Sequence, residues 1–210
     1  MDRSAILLAS ELSCKFGQDK GILELTNKPL IKHVVDAVKV VAEETLIVTD
    51  SQEQADKYSG IVGSTIKFIV DPEVTTDPLV GALRDFQMAQ GKFSLLLPFD
   101  APYISRDVIT LLFELCPGRS AVIPRWPDAQ IEPLHAVYHT QTALEAAKLA
   151  VGEGNLDVPD LVEYLQGIRY VSTLVLQELD PELKTFFRVK TPLDLKKAGV
   201  LAKPKPRKSK

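Results

Sequence analysis

Short apolar segments alternate with segments of helical periodicity along the first half of the chain, and this alternation constrains the fold more than any other feature. Four segments have the length and uniform hydrophobicity of strands that helices cover on both faces: 5–9, 45–48, 66–70 and 94–97. Between them, residues 29–41 and a segment that opens at Asp77 and Pro78 place apolar side chains at helical spacing. The pattern therefore predicts an α/β fold with a mostly parallel sheet.

The second half of the chain continues with shorter elements. Helices are predicted at 105–115, 142–151, from Val158 onward, and at 192–198; strands are predicted at 121–123, 131–138, 169–172 and 187–189. A single domain is expected over residues 1–202. Residues 203–210, KPKPRKSK, are basic and without periodicity. They predict a disordered tail, with an arm that seeks anions as the alternative interpretation.

Composition excludes several classes of protein. With 210 residues, 45% apolar content and a net charge of −3, the chain can build one sizeable core but lacks the positive charge of a dedicated nucleic-acid binder. Cys14 and Cys116 lack metal-ligand spacing and indicate reduced thiols in a cytoplasmic protein. No apolar run approaches the length of a membrane span, so no membrane partner is expected.

Two polar residues stand where an open α/β sheet binds its ligands. Asp100 follows the apolar segment 94–97, and a carboxylate at the end of such a strand can hold Mg²⁺ against a triphosphate. Lys20 follows the polar loop after the first strand, where its ammonium can neutralise phosphate oxygens. The alternatives are a turn or helix-capping role for Asp100 and a surface position for Lys20.

The loop at 8–20, LASELSCKFGQDK, carries a resemblance to a known family. It resembles the signature of the molybdenum cofactor guanylyltransferases, with matching residues at Leu8, Ala9, Ser13, Gly17, Asp19 and Lys20. Three later segments are also similar to that family's motifs: FDAPYI at 99–104, EPLHAVY at 132–138 and FRVKTPLDL at 187–195. The resemblance implies a three-layer, Rossmann-like nucleotidyltransferase fold with helices on both faces of the sheet.

The same resemblance implies an activity and a set of site residues. The expected reaction is magnesium-dependent transfer of GMP from GTP to molybdopterin cofactor with release of pyrophosphate; molybdoenzymes or cofactor-delivery proteins are further expected partners. Lys20 and Asp100 take the catalytic positions, and Asp100 takes the metal position. The nucleotide would be bound by Leu8, Ala9, Ser10, Lys20, Asp71 and Asp100. The acceptor side would include His135, Arg188 and Lys190, although a buried histidine can equally serve the core.

Several residues depart from the family's pattern. Ser10 and Glu11 replace two glycines, and Arg188 and Lys190 replace two asparagines. A Glu11 carboxylate about 4 Å from a phosphate oxygen would be repelled by roughly 4 kcal/mol at an effective dielectric of 20. Glu11 therefore points away from the ligand, weakens triphosphate binding, or marks a change of ligand. Two further hypotheses follow: a catalytically degenerate relative acting as a nucleotide-, cofactor- or protein-binding scaffold, and a transferase for another nucleotide or acceptor.

Overall fold

The computed structural model describes residues 1–9, 16–70 and 78–202. The strands are β1 (Arg3–Leu8), β2 (Glu24–Leu25), β3 (Lys28–Pro29), β4 (Glu44–Thr49), β5 (Lys67–Val70), β6 (Phe93–Pro98), β7 (Ala121–Arg125), β8 (Ala136–His139) and β9 (Arg169–Ser172). The α-helices are α1 (Leu30–Val38), α2 (Gln52–Val62), α3 (Pro78–Met88), α4 (Arg106–Leu115), α5 (Thr140–Gly152), α6 (Val158–Leu161), α7 (Thr173–Leu176) and α8 (Pro192–Leu201). Short 3-10 turns lie at Lys20–Ile22, Pro133–His135, Val162–Tyr164 and Lys184–Phe186.

Within these residues, seven strands form one sheet in the order β5-β4-β1-β6-β8-β7-β9. β1 lies parallel to β4 on one side and to β6 on the other, whereas β8 runs antiparallel to both of its neighbours. β2 and β3 form a separate antiparallel hairpin. The prediction of a mostly parallel central sheet is confirmed.

The sheet is covered on both faces because successive side chains of each strand point to opposite sides. On β1, Ala5 and Leu7 pack into the cluster formed with α1, α2 and α4, whereas Ile6 packs into the cluster formed with α3, α5 and α6. Each β1 side chain from Ser4 to Leu7 is fully buried. The continuously apolar segment that predicted a doubly covered strand thus lies at the centre of a three-layer α/β fold.

Two predicted strands are wrong in extent or in kind. The predicted strand at 131–138 is paired in the sheet only over β8 and starts with a 3-10 turn at Pro133, because proline has no N–H to donate to a ladder. Residues 187–189 form no strand: the Val189 N–H donates to the Asp100 carbonyl at 2.9 Å, so the segment is bonded to a loop. Helix α2 was not predicted, because only three of its residues are buried and the apolar pattern is correspondingly weak. These residues are Ala55, Tyr58 and Val62.

A small third cluster fixes the C-terminal part of the described chain. Val189 and Ala198 pack there against Leu23, Leu25 and Leu30 from the β2–β3 hairpin region. This contact brings the segment before α8 to the carboxyl end of β6. No helix in the described ranges is long and apolar enough to cross a bilayer. Residues 203–210, predicted to be a disordered tail, lie outside the described residues.

Candidate active site

Lys20 is presented by a 3-10 turn that a neighbouring aspartate caps. The Asp19 carboxylate accepts a hydrogen bond from the Gly21 N–H at 2.8 Å and another from the Tyr58 hydroxyl at 2.6 Å. A Cβ atom at position 21 would overlap that hydroxyl, so the turn can approach α2 this closely only with glycine there. Asp19 and Tyr58 therefore fix the direction in which Lys20 leaves the backbone.

Asp100 lies directly after β6 with its side chain fully buried between two cations. Lys20 Nζ donates to Oδ2 at 2.8 Å. Arg188 Nε donates to Oδ1 at 2.7 Å, and its Nη2 donates to Oδ2 at 3.2 Å. We call these three residues the Lys20–Asp100–Arg188 cluster.

The two cations are themselves shielded from water. The Lys20 side chain is 5% exposed and that of Arg188 is 14% exposed. Lys20 Nζ also lies 4.9 Å from the centroid of the Phe99 ring, on the residue preceding Asp100. Because charges interact more strongly where water is excluded, the contacts of Lys20 and Arg188 with Asp100 are stronger than the same contacts would be at an exposed surface.

A cleft of about 540 Å³ opens beside the cluster. Its wall includes two aromatic rings and five ionisable side chains: Phe186, Phe187, Glu132, His135, Arg188, Lys190 and Asp194. Arg188 thus belongs to both the buried cluster and the cleft wall. Charged side chains of both signs and two aromatic rings in one cleft suit a small polar ligand that contains a ring system.

His135 is buried in this cleft wall without a hydrogen bond to either ring nitrogen from any described residue. Its Nδ1 lies 3.7 Å from Glu132 Oε2, and its ring meets Phe186 edge to face at 5.3 Å between centroids. Burial is the main cause that lowers the pKa of His135, so the imidazole is neutral at pH 7. A neutral imidazole with two unused ring nitrogens can offer one donor and one acceptor to a ligand.

Glu132 lies in the same cleft wall as His135. Its Oε1 accepts a hydrogen bond from Trp126 Nε1 at 2.8 Å. Burial acts to raise the pKa of Glu132, but contacts with His135 and Trp126 and the charge of Arg188 outweigh it, and the pKa lies below its ordinary value. The Glu132 carboxylate is therefore ionised and would repel a phosphate placed against it.

The structure brings together several residues that the sequence singled out separately. Lys20 and Asp100 form one ion pair, and His135, Arg188 and Lys190 line one cleft. The roles assigned to these residues, and to Leu8 and Ala9 at the end of β1, stay predictions.

Leu8 and Ala9 stand at the nucleotide end of the predicted site. The Ala9 N–H donates to the Val48 carbonyl at 3.0 Å, so the sheet already uses this amide. Three residues of the predicted nucleotide loop and its surroundings, Ser10, Glu11 and Asp71, lie outside the described residues.

Sequence reasoning missed the contact between Arg188 and Asp100. The two residues are 88 positions apart, and no local pattern joins them. It also missed Asp19 and Tyr58 as the support of Lys20. Across the described ranges, no group of three or more His, Cys, Asp or Glu side chains could hold a metal ion.

Comparison with known proteins places this geometry in a family. Residues 5–162 match the model of the MobA-like NTP transferase domain. A probable molybdenum cofactor guanylyltransferase from Methanosarcina mazei is 30% identical over 92% of this chain and 88% of its own length.

Among solved structures, a molybdopterin-guanine dinucleotide biosynthesis protein A from Archaeoglobus fulgidus superimposes with a TM-score of 0.78, at 24% identity, over 94% of this chain and 97% of its own. A 4-diphosphocytidyl-2C-methyl-D-erythritol synthase from Anaerococcus prevotii has the same fold, with a TM-score of 0.73 at 13% identity over 95% of both chains. The family model spans most of the chain, and the protein belongs to the family of MobA-like NTP transferase domains.

Proposed function

We propose that this protein transfers GMP from GTP to the molybdenum cofactor and releases pyrophosphate. The observation that carries the proposal is the buried Lys20–Asp100–Arg188 cluster at the carboxyl end of β6. A cleft lined by Arg188 and Lys190 lies beside it. Similar proteins are named as probable molybdenum cofactor guanylyltransferases. Molybdoenzymes or cofactor-delivery proteins are further proposed partners.

The reaction needs positioning and charge stabilisation more than proton transfer. An oxygen of the cofactor's terminal phosphate attacks the α-phosphorus of GTP, forming a new P–O bond as the bond from that phosphorus to the α–β bridging oxygen breaks. The electron pair of the broken bond stays on the departing pyrophosphate. Because the attacking phosphate is already anionic, no general base is required; the protein must hold two anions together and stabilise the charge that moves to the leaving group.

Each described residue of the cluster has a defined part in this step. Lys20 stabilises the negative charge that develops on pyrophosphate, and Asp100 holds Lys20 in place. Arg188 adds a second cation on the side of the cleft. The backbone at Leu8 to Ser10 and the side chain of Asp71 are proposed to position the nucleotide; Ser10 and Asp71 are not among the described residues.

The acceptor is assigned to the cleft. Its volume of about 540 Å³ lies within the range of roughly 300–1,000 Å³ typical of small-molecule sites. Arg188 and Lys190 can bind the acceptor phosphate, while His135 can hydrogen-bond a polar ring edge and Phe186 can pack on its face. Ionised Glu132 can accept a hydrogen bond from a ring N–H, which orients the ring away from the phosphate.

The magnesium ion expected at Asp100 does not fit this arrangement. Mg²⁺ requires a carboxylate oxygen at about 2.0–2.1 Å with further oxygens around it. Both Asp100 oxygens already accept hydrogen bonds from Lys20 and Arg188. No catalytic step is therefore assigned to a metal at this carboxylate.

Transfer of labelled GMP tests the proposal directly. The protein is incubated with α-labelled GTP and molybdenum cofactor, and formation of the dinucleotide and pyrophosphate is measured, with CTP and ATP as competing nucleotides. Lys20→Met removes the ammonium but keeps an apolar stem against Phe99, and we expect turnover to fall by about a hundredfold. Lys39→Met, at the exposed end of α1, is the matched control and should retain activity.

The outcome separates this function from a scaffold role. Saturable binding of GTP without any transfer would favour a catalytically degenerate relative, an alternative that the occupied Asp100 carboxylate also supports. Transfer from CTP or ATP in preference to GTP would contradict the assignment of guanine.

A further inference from the structure

We propose that the protein has a second anion-binding site, remote from Asp100, which binds the phosphate group of a phosphorylated small molecule. The site is a pocket of about 400 Å³ at the amino end of β6, and we call it the Lys92–Arg119 pocket after the two cations that line it. β6 is six residues long and Asp100 follows its other end. At about 3.3 Å per residue, roughly 17 Å of strand lies between the pocket and Asp100, so a small ligand here cannot touch that carboxylate.

The register of the sheet assembles the pocket from three strands. In the pairing of β6 with β8, Phe93 lies opposite His139. The His139 N–H donates to the Ser120 carbonyl at 2.8 Å, which extends the pairing of β8 with β7 by one residue. Because residues that lie opposite each other in antiparallel strands point to the same face, Phe93, His139 and Ser120 stand side by side. Lys92 and Arg119 precede the two outer members of this row, and all five residues line the pocket.

The Lys92–Arg119 pocket has two cations and no carboxylate. Lys92 and Arg119 are both exposed, and neither forms an ion pair with a described residue. The Lys92 ammonium lies 5.5 Å from the centroid of the Phe93 ring, which places it over the pocket wall. Neither Asp nor Glu occurs among the described residues of that wall. In a chain whose net charge is −3, this local excess of positive charge attracts an anion.

His139 adds a hydrogen-bond donor whose tautomer is fixed by the backbone. Its Nδ1 accepts from the Thr142 N–H at 3.4 Å and lies 2.9 Å from the Thr142 hydroxyl. A backbone N–H can only donate, so Nδ1 is the acceptor and the neutral ring carries its proton on Nε2. Nε2 makes no hydrogen bond with any described residue. It can therefore donate to an anion in the pocket that His139 lines.

Ser120 supplies a buried hydroxyl that has no partner in the described part of the chain. The residue is 7% exposed, and its Oγ makes no hydrogen bond there. A buried hydroxyl without an acceptor costs free energy, which an anion oxygen would recover by accepting a hydrogen bond from it. Two cations and two neutral donors thus meet at one pocket, and charge-assisted hydrogen bonds of this kind are the strong contacts of a phosphate group. The volume lies within the range of small-molecule sites, so the pocket has room for more than the phosphate alone.

An amide NMR titration with inorganic phosphate tests the second site, because it reports where the anion binds. Phosphate is added to the isotope-labelled full chain at constant ionic strength, and sodium chloride is the reference salt. We expect saturable shifts of the Ser120 and Gln166 amides, both in the pocket wall, with phosphate and none with chloride. The double variant Lys92→Gln with Arg119→Gln removes both charges, and its Kd for phosphate at these amides should rise by about tenfold or more.

Arg106→Gln is the matched control, because it removes an exposed arginine at the opposite end of α4. Arg106 donates to the Asp36 carbonyl, away from the pocket. This variant should bind phosphate at Ser120 and Gln166 like the unaltered protein. Circular dichroism checks that each variant is folded, and the titration of the unaltered protein stands without the variants.

Three outcomes would overturn the second site. The first is equal shifts of the pocket amides with chloride, and the second is a phosphate response confined to the amides around Lys20 and Asp100. The third is a double variant whose pocket shifts match those of the unaltered protein. Phosphate binding at both ends of the sheet, with loss only at the Lys92–Arg119 pocket in the double variant, would support it.

Discussion

Replacing Asp100 by asparagine removes the one carboxylate that accepts three hydrogen bonds from Lys20 and Arg188. Asparagine keeps a single carbonyl oxygen and turns an NH₂ donor toward a cation. Taking the carboxylate from a buried ion pair typically costs about 3–5 kcal/mol of unfolding free energy, because the remaining charges stay in a low-dielectric site. Asp100 is fully buried, so solvent offers little compensation.

This cost is measurable as a shift in thermal unfolding. At about 2–4 °C per kcal/mol for a chain of this size, the Tm of Asp100→Asn should fall by about 6–20 °C. Differential scanning calorimetry at pH 7 measures the shift. Glu53→Gln, which breaks the exposed pair with Lys57, is the control and should leave the Tm unchanged within error.

A second variant tests the reason for the loss. Adding Lys20→Met and Arg188→Met to Asp100→Asn removes the two cations that the first change leaves without their carboxylate. Because replacing a whole buried ionic group by apolar residues is often neutral, we expect at least half of the lost Tm to return. A fall of less than about 2 °C for Asp100→Asn, or no recovery in the triple variant, would refute the placement of Asp100 between two buried cations.

Three further predictions follow from residues around the site and the sheet. Gly21→Ala forces a Cβ against the Tyr58 hydroxyl and should lower turnover by about tenfold or more in a GMP-transfer assay, whereas Gly60→Ala, with open space around it, should not. The pKa of Glu44 is lowered: burial opposes the shift, and three hydrogen bonds outweigh it. The ionised Glu44 carboxylate therefore stabilises the fold fully above about pH 4.5, and this stabilisation is lost as the pH falls below that value. The difference in unfolding free energy between the unaltered protein and Glu44→Gln, measured by urea titration, should shrink from pH 7 to pH 3. Burial raises the pKa of Cys116 to about 12, so mass-spectrometric mapping should find this thiol alkylated at pH 8 only after denaturation; alkylation in the folded protein would contradict its burial.

The sequence predicted those parts of the fold that depend on local pattern. Continuous hydrophobicity at 5–9 and 94–97 identified strands covered on both faces, and β1 and β6 lie at the centre of the sheet. The prediction of a strand at 187–189 was wrong. Val189 stands between polar neighbours, as an inward-facing strand residue would, but it is buried against the β2–β3 hairpin region and not in the sheet. Periodicity reports that a side chain is buried and leaves open which element buries it.

The site shows the same division between local and distant information. Position after a strand was enough to single out Asp100 as a candidate, and in the structure it lies directly after β6 and binds Lys20 and Arg188. Its role in binding a ligand stays a prediction. What such a carboxylate does depends on its partners: with free oxygens it can be a ligand for a hard cation, whereas a carboxylate that already accepts hydrogen bonds from two cations holds those side chains in place. One of these two partners, Arg188, lies 88 positions from Asp100 in the sequence. A motif around position 100 therefore cannot by itself distinguish a metal ligand from a carboxylate that holds two cations in place.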